Sequence, residues 1–221
     1  MWTVAQDEPF ADRHHAGSAL AARLKAYESR PEVIVLALPR GGLPVAFEVA
    51  QALGAPLDIF VVRKLGLPGH RELAMGAIAS GGVRILNDDV VQWYGIPPEV
   101  IDEVAREEQL ELERREREYR NGRPPLDLRG KVVILIDDGL ATGSTMKAAV
   151  KAVRAHGPVR IVVAVPVGAP DTCREFAALA DDVVCARTPQ SFSSVGRWYR
   201  DFSETTDEEV RALLRQSRGP G

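Results

Sequence analysis

With 221 residues, 45% of them hydrophobic and 27% charged, the chain holds enough apolar material for one globular domain, or for a core with a small appended subdomain. Lys and Arg total 28 against 31 Asp and Glu, and the resulting net charge of −3 gives no basic field for a nucleic-acid partner. The two cysteines, Cys173 and Cys185, lie outside any CxxC pairing and have no histidine nearby, so idle thiols are expected rather than a disulfide framework or a zinc site.

The opening MWTVAQDEPF has neither a basic start nor an apolar stretch and does not read as a signal peptide. Apolar runs such as VIVLAL are too short to span a bilayer, so a cytoplasmic protein with no membrane contact is expected. His14 and His15 have no partner at metal-ligand spacing and read as part of a surface helix. Apolar, β-branched runs over 33–38, 58–62, 132–136, 160–165 and 182–185 predict strands. They are continuous rather than alternating, as in strands covered on both faces. Helices are predicted between them over 43–53, 145–156 and 171–179. This βαβ rhythm predicts an α/β fold with a doubly wound, mainly parallel sheet, whose ligands sit beyond the strand carboxyl ends. Two segments break the rhythm. Residues 75–86 read as a hairpin turning at Gly81-Gly82. Residues 101–120 are dense in Glu and Arg at helical spacing, with a sparse apolar stripe of Ile101, Ala105, Leu112 and Tyr119. That stretch reads as a solvated helix laced with ion pairs; its second reading is a contact helix in a homo-oligomer. Residues 121–125 read as a short turn and 216–221 as a loose end.

The chemistry concentrates in KVVILIDDGLATGST, residues 131–145. A strand delivers Asp137 and Asp138 at its carboxyl end. Gly139 and Gly143 bracket a tight loop, and a helix begins near Ser144. A helix N-terminus offers unpaired N–H groups and a positive dipole end, which suits a phosphate. Thr142, Ser144 and Thr145 add hydroxyls at the same point. No Lys follows Gly143, so this is not a P-loop, and the spacing does not give GxGxxG. Two adjacent acids followed by a phosphate cup suit a ribose 5-phosphate, whose vicinal hydroxyls donate to the carboxylates. The plainer reading is a strand–turn–helix with capping hydroxyls, but capping needs one hydroxyl and no acid pair.

ILIDDGLATGST closely resembles the phosphoribosyl-pyrophosphate-binding motif of type I phosphoribosyltransferases. PRGGLPVA is similar to the pyrophosphate loop of that family, and VRKLGLPGHRELAMGAIASGG to its mobile catalytic loop and hairpin. With VAVPVGAP and SVGRWYRDFSETTDEEV, the likeness covers most of the chain and points to a bacterial branch described only as predicted phosphoribosyltransferases. The resemblance implies one domain over 1–221, with a five-stranded parallel core and a small hood drawn from the N-terminus and about 187–215. It implies Mg²⁺-dependent transfer from phosphoribosyl pyrophosphate to a small acceptor, most often a ring nitrogen. Asp137 and Asp138 would hold the ribose hydroxyls and, through water, the metal. Gly139 and the run Ala141, Thr142, Gly143, Ser144, Thr145 would hold the 5-phosphate. Arg40, Gly41 and Gly42 would hold pyrophosphate, with the Arg40–Gly41 peptide cis. Lys64 and Arg71 would close over the leaving group from a mobile loop. The alternative on the same fold is a regulatory protein that senses phosphoribosyl pyrophosphate or a nucleotide.

The remaining segments carry less. LPRGG ends the first strand with two glycines and a fork-shaped cation, which suits an anion or a plain βα turn. Arg63 and Lys64 end the second predicted strand, before His70 and Arg71 on a glycine-punctuated stretch. Phe192, Trp198 and Tyr199 fall among Arg197 and Arg200; Trp198 and Tyr199 read as a stacking wall for a planar acceptor or as hood core. Members of the family that transfer to oxopurines carry a base-reading Lys after a late core strand. Here that stretch is VPVGAPD, so poor use of guanine and hypoxanthine is expected.

Overall fold

The computed structural model describes residues 8–120 and 122–217, the side chains of residues 71 and 72 excepted. In chain order its elements are α1 (Arg13–Ala21), β1 (Val33–Ala37), α2 (Gly42–Leu53), β2 (Leu57–Ile59), β3 (Val62–Leu67), β4 (His70–Ala79), β5 (Val83–Leu86), α3 (Asp88–Trp93), α4 (Pro98–Arg120), β6 (Val132–Ile136), α5 (Ser144–Ala155), β7 (Arg160–Val167), α6 (Pro170–Phe176), β8 (Asp182–Arg187) and α7 (Asp207–Gln216). Five strands form a parallel sheet in the order β2-β1-β6-β7-β8. Successive residues of a strand point to opposite faces. Val35 and Ala37 of β1, with Ile134 and Ile136 of β6, pack against α2 and α7, while Leu36, Val133 and Leu135 pack against α5. Both faces are covered, which is why the strands read as unbroken apolar runs.

The chain leaves β1 toward β2 on one side and later returns to β6 on the other. Their carboxyl ends therefore diverge at a topological switch point, where such sheets open a crevice. In-register pairing from Val33↔Val132 to Ala37↔Ile136 sets the two ends level. The loops at 38–42 and 137–143 emerge side by side.

The run predicted as one strand over 58–62 is split. β2 stops at Ile59, Phe60 donates its N–H to the Ala37 carbonyl at 2.9 Å, and Val62 opens a separate antiparallel sheet β3-β4-β5. The stretch from Arg63 to Arg71, expected as a mobile loop, is β3, a Pro68-Gly69 turn and the start of β4. Leu65 and Leu67 alternate inward, and Gly69 supplies the turn with a φ of +81°. The Gly81-Gly82 hairpin turn is as the sequence predicts.

Helix α4 buries the predicted stripe of Ile101, Ala105, Leu112 and Tyr119. Its carboxyl end is not simply solvated. Tyr119 donates to Asp207 of α7, and Arg120 and Arg123 pair with Asp58 at 3.1 and 3.2 Å. Cys173 of α6 and Cys185 of β8 form a disulfide, against the expectation of idle thiols: α6 folds back beside β8, so spacing along the chain says little about spacing in the fold. Among the described residues no helix is long and apolar enough to cross a membrane.

Asp58 is only 8% exposed and is the countercharge between two arginines. Asp58→Ala removes a buried partner and should lower the unfolding free energy by about 3 kcal/mol or more. Urea unfolding should show the midpoint falling at unchanged slope; an unmoved midpoint would show that the cluster holds nothing together.

Candidate active site

The two loops at the switch point each lead into a helix that lacks a side-chain cap. α2 starts behind Gly41 and α5 behind Gly143, and neither has a capping hydrogen bond from a side chain. The same chain caps α1 with Asp12 and α7 with Thr206 in the ordinary way. The hydroxyls of Thr142 and Ser144 lie 3.2 Å from each other and do not cap α5. The plain capping explanation of the glycine–hydroxyl loop therefore fails. α5 keeps a first turn without a side-chain cap and a positive dipole end beside the crevice, whereas at α2 the Gly42 and Leu43 N–H groups donate to the Leu38 and Arg40 carbonyls at 3.1 Å and Pro44 has no N–H.

The glycines are required by close approach. A Cβ on Gly41 would strike the Asp138 carboxylate, and one on Gly42 would lie 2.7 Å from the Ile136 carbonyl and 2.9 Å from Asp137 Cα. Gly139 is covered by the side chain of Val195. Gly143 has a φ of +71° and sits against Phe176 of α6. The cis peptide lies between Pro39 and Arg40, one position before the bond that the family resemblance indicated.

Asp137 and Asp138 are held from three directions. Asp138 Oδ2 accepts from Arg13 Nε at 3.0 Å and Nη2 at 2.8 Å. Arg13 Nη1 donates to the Ser203 carbonyl at 2.7 Å, and the guanidinium lies 4.1 Å from the centre of the Phe202 ring. The Tyr199 hydroxyl donates to the Asp138 carbonyl at 2.5 Å, and the Asp138 N–H donates to Asp137 Oδ1 at 2.9 Å. Burial pushes the Asp137 carboxyl well above the ordinary range, and the neighbouring Asp138 charge pushes it further. Burial raises Asp138 too, but the Arg13 guanidinium opposes the rise. Burial, then the Asp138 charge, holds the Tyr199 phenol neutral.

The other expected site residues divide. Ala141, Thr142 and Ser144 are exposed on the loop at the start of α5, beside half-buried Gly143 and Thr145, and Thr172 braces the loop by donating to the Ala141 carbonyl at 2.6 Å. Arg40 pairs with Glu204 and, at 3.5 Å, with Asp207. Arg63 and Lys64 are neighbours on a strand and so face opposite ways. Arg63 pairs with Glu108 of α4 at 2.7 Å, while Lys64 lines a cavity of about 480 Å³ with Ser144, Lys147 and Asp88. The Arg71 backbone lies in β4, and its side chain is outside the described residues. Trp198 and Tyr199 are buried with Phe10, Ala16 and Val167. Tyr199 thus braces the acid loop instead of presenting an open face, and Trp198 edges a cavity of about 460 Å³ beside Phe192 and Arg197. Sequence reasoning missed Arg13 and Thr172, which lie far along the chain from Asp138 and, in the case of Arg13, in a helix whose two histidines drew the attention. Among the described residues no group of three or more His, Cys, Asp or Glu side chains is arranged to hold a metal alone.

This fold, with an acid pair between two uncapped helix starts, is that of a phosphoribosyl transferase domain. The model of the phosphoribosyl transferase domain family matches residues 13–196, and the chain belongs to that family. A Mycobacterium tuberculosis protein with a provisional phosphoribosyl transferase name is 52% identical over 205 residues, covering 93% of this chain and 46% of its own length. The chain therefore spans about half of that relative. The crystal structure of TT1426 from Thermus thermophilus superposes with a TM-score of 0.83 at 42% identity, covering 94% of this chain and 98% of that one. The bifunctional protein PyrR of Chloroflexus aurantiacus is 29% identical over 176 residues, covering 78% of this chain and 88% of its own.

The raised acid at 137 fixes the sign of a stability effect. A carboxyl raised by folding contributes stability fully below its ordinary value of 3.8 and loses it as pH climbs through the raised value. Asp137→Asn cannot ionise, and its amide oxygen still accepts from the Asp138 N–H. The variant should therefore melt higher than wild type at neutral pH, by about 2–4 °C for each kcal/mol relieved, and the gap should close in acid. Thermal melts across this range check it; a variant that melts lower at neutral pH would show that Asp137 is not under strain.

Proposed function

We propose that this chain is a Mg²⁺-dependent phosphoribosyltransferase. It takes phosphoribosyl pyrophosphate, passes the phosphoribosyl group to a small acceptor, a nucleobase or related nitrogen nucleophile, and releases pyrophosphate. One observation carries the reading: a recessed acid pair stands between two uncapped helix starts at the switch point of a phosphoribosyl transferase domain. Hydroxyls, a phosphate and a diphosphate are the groups that such a crevice can satisfy together.

In this reading Asp137 and Asp138 accept hydrogen bonds from the two vicinal ribose hydroxyls. The first-turn N–H groups of α5, with the hydroxyls of Thr142, Ser144 and Thr145, hold the 5-phosphate, and Gly139 and Ala141 keep that loop narrow. Gly41 and Gly42 let the diphosphate approach the backbone at the α2 start, the Gly42 N–H itself being given to the Leu38 carbonyl at 3.1 Å. Arg40 follows once the diphosphate displaces Glu204 and Asp207 from its guanidinium. Lys64 and Arg71 approach the leaving group from the antiparallel sheet, and Arg63 does so only on leaving Glu108. The C1–O bond to the diphosphate then breaks with its electron pair leaving on the diphosphate, positive charge builds at C1 as an oxocarbenium-like centre, and the acceptor nitrogen bonds to C1 from the opposite face and gives up its proton to solvent. The chain contributes position and charge, without a covalent nucleophile.

The donor set fits Mg²⁺ bound in part by the substrate. The pair offers hard carboxylate oxygens, and two carboxylates alone make no closed cage, so the diphosphate and water supply the remaining ligands. When bound, Mg²⁺ neutralises the departing diphosphate. Asp137 and Asp138 would hold it through water. The stretch VPVGAPD, which ends β7 and leads into α6, carries no Lys to read an oxopurine edge, so guanine and hypoxanthine are poor acceptors in this reading. The setting is cytoplasmic, and no nucleic acid or membrane takes part.

The test is pyrophosphate release with Mg²⁺ and a panel of bases, with products read by mass. One base or related nitrogen compound should yield a phosphoribosylated product. Replacing both acids, Asp137→Asn with Asp138→Asn, should weaken phosphoribosyl pyrophosphate binding tenfold or more, because charge-assisted hydrogen bonds contribute about 1.5–3 kcal/mol each. Unchanged affinity in the double variant would remove the acids from the site.

A further inference from the structure

We infer that Arg13 is a positioning residue for phosphoribosyl transfer, its two-pronged grip on one oxygen of Asp138 leaving the other aimed at the ribose hydroxyls. The inference rests on the function proposed above. Nε at 3.0 Å and Nη2 at 2.8 Å both donate to Oδ2, and no other described side chain donates to the Asp138 carboxylate. Gly41 closes the far side of Oδ2, since a Cβ there would strike it. One carboxylate oxygen is thus enclosed and the other is left for a ligand.

Arg13 is itself held firmly enough to aim its partner. Its side chain is 11% exposed and that of Asp138 16%. Its remaining terminal nitrogen donates to the Ser203 carbonyl at 2.7 Å. The Phe202 ring lies beneath the guanidinium at 4.1 Å, and the Tyr199 ring is at 5.9 Å. A planar fork between a ring and a carboxylate has little rotational freedom. Tyr199 fixes the Asp138 carbonyl from the same segment, so main chain and side chain of one acid are both set by residues 199–203 and α1. Arg13 touches no reacting atom in this arrangement; it acts through Asp138. A lysine keeps the charge but cannot reach with two prongs and hold Ser203 as well.

The experiment compares wild type with Arg13→Lys, Arg13→Gln and Arg13→Ala, measuring phosphoribosyl pyrophosphate affinity by calorimetry, kinetics, and the carboxyl ¹³C shift of Asp138 without ligand. Arg13→Lys and Arg13→Gln should raise Kd and KM tenfold or more while kcat changes far less, since the aimed oxygen serves ground and transition states alike. Millimolar guanidinium should restore affinity to Arg13→Ala and leave wild type unaffected. A folded Arg13→Lys with wild-type Kd, or an Arg13→Ala without rescue, overturns the inference. Thermal melts identify a variant that does not fold, and Arg13→Lys, which keeps the charge, then decides. The two failures separate. If wild type binds no phosphoribosyl pyrophosphate, the proposed function falls. The ligand-free carboxyl shift still reads the grip: it should move between wild type and Arg13→Lys, and an unmoved shift overturns the positioning role whatever the ligand.

Discussion

Two adjacent carboxylates occupy one recessed position at the carboxyl end of β6, and most of the surrounding structure answers the problem that this creates. Burial raises both carboxyls, and the Asp138 charge raises Asp137 further. Among the described residues one guanidinium, from Arg13, pairs with Asp138, while Asp137 accepts from the Asp138 N–H and feels the Arg13 charge at longer range. Gly41 and Gly42 are small because the acids and their flanking backbone stand so close, and Gly139 because the Val195 side chain covers it. A protein maintains such a strained pair where a ligand relieves it. Hydroxyl donors and a hydrated divalent cation are the groups that would do so.

The carboxyl-terminal segment forms the lid side of this arrangement. Val195 covers Gly139, Tyr199 ties the Asp138 carbonyl, Ser203 receives Arg13, and Glu204 and Asp207 engage Arg40. On the opposite side α6 braces the loop at 139–143 through Thr172 and Phe176, and its Cys173 is tied to β8. The loop is thus gripped from two elements that lie next to it in space and 30 or more residues away in sequence.

Fold and acid loop were largely legible because their signals are local. Continuous apolar runs marked β1, β6, β7 and β8, since strands buried on both faces cannot alternate. The apolar stripe of α4 was read residue by residue, because helical spacing needs no tertiary knowledge. Asp137–Thr145 carries its acid pair, glycines and hydroxyls in one contiguous run. What escaped was non-local. Arg13 meets Asp138 across 125 residues. Cys173 meets Cys185 only after α6 folds back. The β3 strand was taken for a loop because Gly66, Pro68 and Gly69 look like breakers, whereas they serve a bulge and a turn. For each ring of the aromatic cluster at 192–199 the sequence favours core slightly over acceptor wall, and packing places Trp198 and Tyr199 in the core.

The central claim is that the strained acid pair receives phosphoribosyl pyrophosphate with its metal. Calorimetric titration of the full chain with phosphoribosyl pyrophosphate and Mg²⁺, repeated in buffers of different ionisation enthalpy at mildly acid pH, tests it directly. The account predicts one ligand per chain with net proton release, because a bound cation and donor hydroxyls favour the ionised pair. Binding without proton release, or no binding, would contradict it.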